Sequence, residues 1–200
     1  MSRYTLFIFV FCYFYAALRY HVGADIPLSE WIFILNKALA WTAFLFIGLS
    51  VLPQKLLNKT KSNRRALGVF GFTLGLIHMI ITFFHLGPEH YGKLYNGDSL
   101  NFSGWMAISL GAVSALIYTF PLIGAMQNRP NTDRIFRLGK IGFILSTLHP
   151  AAIGFNGWLE PYSWPLYLPP ITLLAFLTGI ALLMIRLILS RGKNHSTIRI

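Results

Sequence analysis

Two histidines occupy equivalent places in a repeated segment. Residues 67–78 read LGVFGFTLGLIH and residues 138–149 read LGKIGFILSTLH, so both follow L-G-x-x-G-F-x-L-x-x-x-H at an offset of 71 residues. Six of the twelve positions are identical, and basic residues precede both copies: Arg64 and Arg65 in the first, Arg134 and Arg137 in the second. A pair of imidazoles at one depth on two parallel helices, His78 and His149, is the donor set of a six-coordinate heme b. A neutral ring nitrogen binds iron without bringing net charge into an apolar interior. With both axial positions filled, the iron suits electron transfer better than oxygen chemistry. The plainer use of either ring is a hydrogen bond to a neighbouring helix. Gly71 and Gly142 belong to small-residue faces, with Gly68 and Gly75 in one copy and Gly139 and Ser146 in the other. Such faces let helix backbones approach closely or give a flat cofactor a surface to lie against, among Phe70, Phe72 and Phe143.

Three further residues bear on that chemistry. His85 follows His78 by seven positions and so shares its helix face. It is the candidate for a second heme site, with His21 or His90 as the partner, although Asn156 stands at its repeat position. Lys37 falls roughly 9 Å inside an apolar stretch at 1.5 Å per residue, where an unpaired ammonium costs several kcal/mol. Heme propionates pointing outward would supply its counter-charge. Arg19, near the end of the preceding apolar stretch, offers the same service. The alternative for both is that the side chains snorkel to the interface.

The elements that must position these groups are transmembrane helices. The 200-residue chain is 55% hydrophobic and only 12% charged, with a mean hydropathy of +0.58. A soluble globule carries about twice that charged fraction. Six apolar stretches, at about 4–20, 31–52, 66–86, 104–126, 138–158 and 170–189, are long enough, or nearly so, for a roughly 30 Å hydrocarbon layer. The expected fold is an all-α, multi-pass bundle over residues 1–190, with 191–200 as a disordered cytoplasmic tail. The first stretch is read as a retained helix rather than a signal peptide.

Charge sorts across the connections. Lys55, Lys59, Lys61, Arg64, Arg65, Arg129, Arg134, Arg137, Lys140, Arg186, Arg191, Lys193, Arg199 and Arg3 fall on one side, and five of the six acids, Asp25, Glu30, Glu89, Asp98 and Glu160, fall on the other. The positive-inside rule then places both termini in the cytoplasm. Trp31, Trp105, Trp158 and Trp164 cluster near the outer ends, as interfacial anchors do. The net charge of +11 is therefore a topology signal, and no stacking platform or recognition module points to nucleic acid. With one crossing between them, the third and fifth spans run parallel, and His78 and His149 each sit roughly 12 Å below the outer boundary.

The chain resembles the ferric reductase-like transmembrane domain family, and within it the heme-binding membrane subunits of periplasmic methionine sulfoxide reductase systems. Gly23-Ala24-Asp25-Ile26-Pro27 is similar to the turn after the first helix of those subunits. Asn36-Lys37-Ala38-Leu39 is similar to the polar, basic and apolar run of the second, which Pro53 closes. Arg64-Arg65-Ala66-Leu67-Gly68, with His78 ten residues past the glycine, is similar to the start of the third. The resemblance covers roughly residues 5–190. It implies a heme b bundle of the inner (plasma) membrane that takes electrons from quinol or a flavin-dependent partner and passes them to an outer-side acceptor, with His78 and His149 as iron ligands. Two-heme members carry a second histidine pair at the inner ends of the third and fifth spans. Here Arg65 and Phe136 stand thirteen residues before the two histidines, so one outer-side heme is expected, and a quinol or outer-side donor fits it best.

Other functions fit less well. A small-molecule transporter built on the repeat could use Lys37, yet every acid lies in a connection, which disfavours carboxylate-dependent coupling. A non-catalytic assembly subunit of a membrane complex remains an alternative. A metal hydrolase lacks a third ligand beside His78 and His149, and no serine-nucleophile motif is present. With one cysteine, Cys12, the chain has no internal disulfide.

Overall fold

The computed structural model describes residues 3–52, 61–127 and 133–191. Six long helices dominate it: α1 Arg3–Ala17, α2 Trp31–Val51, α3 Lys61–His85, α4 Phe102–Met126, α5 Asp133–Trp158 and α6 Ile171–Arg191. Each falls on one of the six apolar stretches, and all six are long and apolar enough to cross a membrane. The protein is an all-α, multi-pass membrane protein. Lys55, Lys59, Arg129, Lys193, Arg199 and the expected tail from residue 192 onward lie outside the described residues.

Helix ends depart from the apolar boundaries for a physical reason. α3 and α5 begin about five residues before their apolar stretches, in Lys61–Arg65 and Asp133–Arg137. The backbone ladder continues through basic residues once they have left the hydrocarbon, because nothing there breaks it. At the other end of that boundary, the last carbonyls of α2 are satisfied by guanidinium groups. Arg64 donates from Nε and Nη2 to Ser50 O at 3.1 and 2.9 Å, and Arg186 Nη1 donates to Val51 O. Cations there also complement the negative end of the helix dipole.

α2 is the central helix. It packs on α1, α3 and α6 and buries Phe33, Ile34, Asn36, Ala38, Leu39, Trp41, Thr42, Ala43, Phe44, Phe46 and Gly48. The outward faces of the other helices expose Phe7, Phe14, Phe83, Phe84, Leu116 and Ile188. In water such a surface would be a liability, whereas in lipid it is the solvent-matched one.

The middle four helices form two tight antiparallel hairpins, α2–α3 and α4–α5. Between the hairpins contact is sparse, through α3 on α4 and α2 on α5, so the four make a ring in which α3 and α5 stand at opposite corners. α6 fills the groove beside α2 and α5. There Gly179 lets Thr147 and Phe44 come close, Gly48 admits Phe143 and Leu182, and Phe44 and Phe143 stack at 5.1 Å.

Most of the irregular structure sits at the acid-bearing end. A π-helical turn, Leu18–Val22, continues α1. A one-turn helix, Pro88–Tyr91, leads into a small antiparallel ribbon pairing Tyr95–Asn96 with Ser99–Leu100 around Gly97 at φ 62°, where a left-handed turn favours glycine. The segment before α6 is tied to α1 by Tyr15 Oη donating to Pro169 O at 2.7 Å and by Arg19 Nη1 donating to Leu168 O.

Candidate functional site

His78 lies on α3 and His149 on α5, both deep in the body of the protein, yet each ring is only half-buried. Among the described residues their helices share little or no direct packing, but the two imidazoles are within electrostatic range, and Lys37 is within range of His78.

Both rings are held through Nδ1. His78 Nδ1 lies 2.8 Å from Asn36 Oδ1, and His149 Nδ1 lies 2.8 Å from Ala107 O. Each partner is an oxygen with no proton to give, so Nδ1–H is the donor in both cases. Nε2 therefore keeps its lone pair in both rings. This is the arrangement that metal-binding histidines adopt, the far nitrogen hydrogen-bonded and the near one free to ligate.

The Asn36 amide is oriented by two hydroxyls. Its Nδ2 donates to Thr82 Oγ1 at 2.9 Å and to Tyr91 Oη at 3.3 Å, which turns Oδ1 toward His78. Thr82 Oγ1 is also 3.4 Å from His78 Nδ1. Asn36 is fully buried, so these bonds offset the cost of placing an amide in an apolar helix. Tyr91 belongs to the one-turn helix outside the spans. Burial pushes its phenol pKa up, while the Thr82 and Asn36 contacts pull it the other way. It stays a neutral hydroxyl at ordinary pH.

The same offsets recur in both hairpins. Asn36 and Ala107 each precede their histidine by 42 residues and are themselves 71 apart, as are the first residues of α2 and α4, Trp31 and Phe102. A Cβ at Gly71 would meet Ile47 N at 2.9 Å and Ala43 O at 3.0 Å, and one at Gly142 would meet the Tyr118 ring at 2.9 Å. Ile47 and Tyr118 are again 71 apart. The near faces of Gly71 and Gly142 are thus taken up by their own hairpin partners. Phe72 packs on Tyr118 and Phe70 on Phe46. Gly111 makes room for His149, since a Cβ there would stand 3.2 Å from Cε1 and Nδ1 of the ring. Pro150, next to His149, removes one amide donor from α5, a feature without a counterpart at Met79.

Three basic residues remain at the acid-bearing end: Arg19, Lys37 and Lys93. Lys37 Nζ sits over the rings of Phe33, Tyr20 and Tyr91 at 4.0, 5.0 and 5.5 Å, a cation–π enclosure. Arg19 Cζ is 5.6 Å from the Tyr20 ring, and Arg19 and Lys93 are within electrostatic range of Lys37. Arg19 is carried by the π-helical turn and is 6% exposed, with Nε buried and unpartnered among the described residues. Neither Lys37 nor Arg19 makes an ion pair among the described residues. Arg19 is buried and Lys37 half-buried, and cations so placed without a carboxylate partner can receive an anion.

His85 and His90 come together as packed rings, edge to face at 5.1 Å. His85 Nδ1 bonds Ile81 O at 2.9 Å in its own helix. His90 Nε2 donates to Glu30 Oε2 at 3.2 Å. His21 Nδ1 bonds Ile26 O at 2.7 Å. Among the described residues, no group of three or more His, Cys, Asp or Glu side chains forms a metal cluster. A cavity of about 410 Å³ opens beside Lys93, Ser103, Asn156 and Glu160 and touches neither His78 nor His149.

Sequence reasoning singled out the histidines, Lys37 and Arg19, but not the roles of Asn36, Thr82, Tyr91 and Gly111. One signal was available for Asn36: a lone amide in an apolar span, 42 residues before His78, with its counterpart the same distance before His149.

No protein-family model and no curated protein matches this sequence.

Proposed function

We propose that the chain is a heme b protein of the inner (plasma) membrane, similar to the ferric reductase-like membrane proteins. It takes electrons from a quinol or a flavin-dependent donor and delivers them to a redox partner protein on the outer side. His78 and His149 are the residues that would hold the iron. The observation that carries this reading is the matched pair of Nδ1–H bonds, which leaves two Nε2 lone pairs on opposite corners of one helix ring. Bound there, a heme would supply one-electron chemistry. The chain's residues fix the tautomer of each ligand, exclude water with the apolar core, and set cations beside the carboxylates of the group. The recurring 71-residue offset supports reading α2–α3 and α4–α5 as two parallel copies of one hairpin.

The purified protein is expected to be red, with about one heme per polypeptide and the reduced-minus-oxidised bands of a low-spin b heme. A colourless protein with no heme uptake on reconstitution overturns the reading and leaves the transporter alternative.

Lys37 and Arg19 are the partners for the heme propionates. Lys37→Met keeps the length of the side chain and removes its charge. A hydrogen bond to a charged group contributes about 1.5–3 kcal/mol, so heme affinity should fall by about tenfold or more while the melting temperature of the cofactor-free protein holds. Unchanged heme retention in a titration would assign the ammonium to the aromatic enclosure alone.

The acid-bearing end is the outer one. Asp98 is exposed in the ribbon turn and Cys12 is buried. Asp98→Cys should react with a membrane-impermeant maleimide in intact cells. Labelling only after lysis would reverse the orientation.

A further inference from the structure

We propose that Asn36, oriented by Thr82 and Tyr91, is a positioning residue that sets the electron affinity of the iron through His78. The proposal rests on the heme reading and adds to it a tuning device that only one of the two ligands possesses. His149 gives its Nδ1–H to the backbone carbonyl of Ala107, which no side-chain change alters. His78 gives its own to a side-chain amide. The two hairpins match in register but diverge at this point, where the first holds a fully buried amide and the second an alanine.

The amide has both of its polar atoms engaged. Its oxygen faces the imidazole and its nitrogen faces two hydroxyls. One of the hydroxyls, Tyr91 Oη, comes from outside the span. Its one-turn helix is clamped to the head of α2 by His90 donating to Glu30 at 3.2 Å and by Tyr91 packing on Phe33 at 5.5 Å. The hydrogen bond on His78 is therefore held in place from the acid-bearing surface of the protein.

The direction of the effect follows from ligand chemistry. A stronger acceptor on Nδ1–H makes the ring more imidazolate-like and a better donor to ferric iron, which lowers the potential. A weaker acceptor raises it. Asn36→Asp should lower the midpoint potential and Asn36→Leu should raise it. Each should move the ferric/ferrous equilibrium by roughly tenfold, which is about 59 mV for a one-electron couple. Tyr91→Phe should move it in the sense of Asn36→Leu, by less.

The test is spectroelectrochemistry of the purified full-length chain and its variants, with heme per polypeptide measured on each. Nitrogen-15 spectra of histidine in the cofactor-free protein complete it. Wild-type His78 should show the Nδ1–H form there, and Asn36→Leu should lose that preference. A residue that only supports the fold would lower the melting temperature and leave the potential in place. Heme-loaded Asn36→Asp and Tyr91→Phe with wild-type potentials overturn the proposal, and these two milder variants decide it if Asn36→Leu does not fold. Absence of heme in the wild type overturns the tuning claim together with the heme reading. Heme with an unshifted potential overturns the tuning claim alone.

Discussion

Replacing either His78 or His149 by alanine should abolish the low-spin b-heme spectrum. The two rings are the histidines that the four-helix ring sets at opposite corners, and each has its Nδ1 engaged and its Nε2 without a partner among the described residues. With the proposed heme bound, losing one would leave a single ligand. The low-spin signature needs two, so a variant that retains some heme should turn high-spin. The cost to affinity should also be large, since the chain would then offer only apolar packing and the cations near Lys37 to the group. His85→Ala and His90→Ala serve as controls, because those rings already contact each other and His90 is engaged by Glu30. They should keep the wild-type bands. If His78→Ala or His149→Ala retains a normal bis-histidine spectrum, the ligand assignment is wrong.

The second large effect concerns the hairpin crossings. A Cβ at Gly71 would stand 2.9 Å from the Ile47 nitrogen and 3.0 Å from the Ala43 oxygen, both backbone atoms of α2. Neither can turn aside, so Gly71→Ala must push α2 and α3 apart. At Gly142 the obstacle is the edge of the Tyr118 ring, whose side chain can give way at the expense of the Ser146–Tyr118 hydrogen bond of 3.2 Å. Overpacking of this kind costs about 1–3 kcal/mol. Gly71→Ala should lie at the upper end and Gly142→Ala at the lower. Thermal unfolding in detergent, followed by size-exclusion chromatography, would rank them. Equal midpoints would mean that the hairpins are more compliant than their backbone contacts imply.

The six spans were legible because a membrane helix announces itself by length and composition, and those two properties are local. The matched histidines were legible because the repeat keeps its identities in α3 and α5. Its other half was not, since α2 and α4 share only Leu39 with Leu110 and Leu45 with Leu116 at the same offset. What they share is position: Asn36 against Ala107, and Ile47 against Tyr118. Register of that kind is a property of the hairpin and leaves little trace in residue type. The π-helical turn at Leu18–Val22 was hidden for a similar reason. Arg19, which it carries, donates to Leu168 O, a partner that the local sequence does not contain. Gly71 and Gly142 could be singled out as members of small-residue faces, but only the fold says which neighbour each admits.

The strong pairing within hairpins and the thin contact between them has a consequence for biogenesis. Each hairpin can close as it leaves the translocon, because its glycine crossing and its imidazole bond are internal to one pair of neighbouring helices. Docking of the two halves is then a later event with little cohesion of its own in lipid, where packing rather than water expulsion drives association. A group clasped from both sides would act as the keystone of that last step, so starving cells of iron should leave half-assembled chains exposed to membrane proteases.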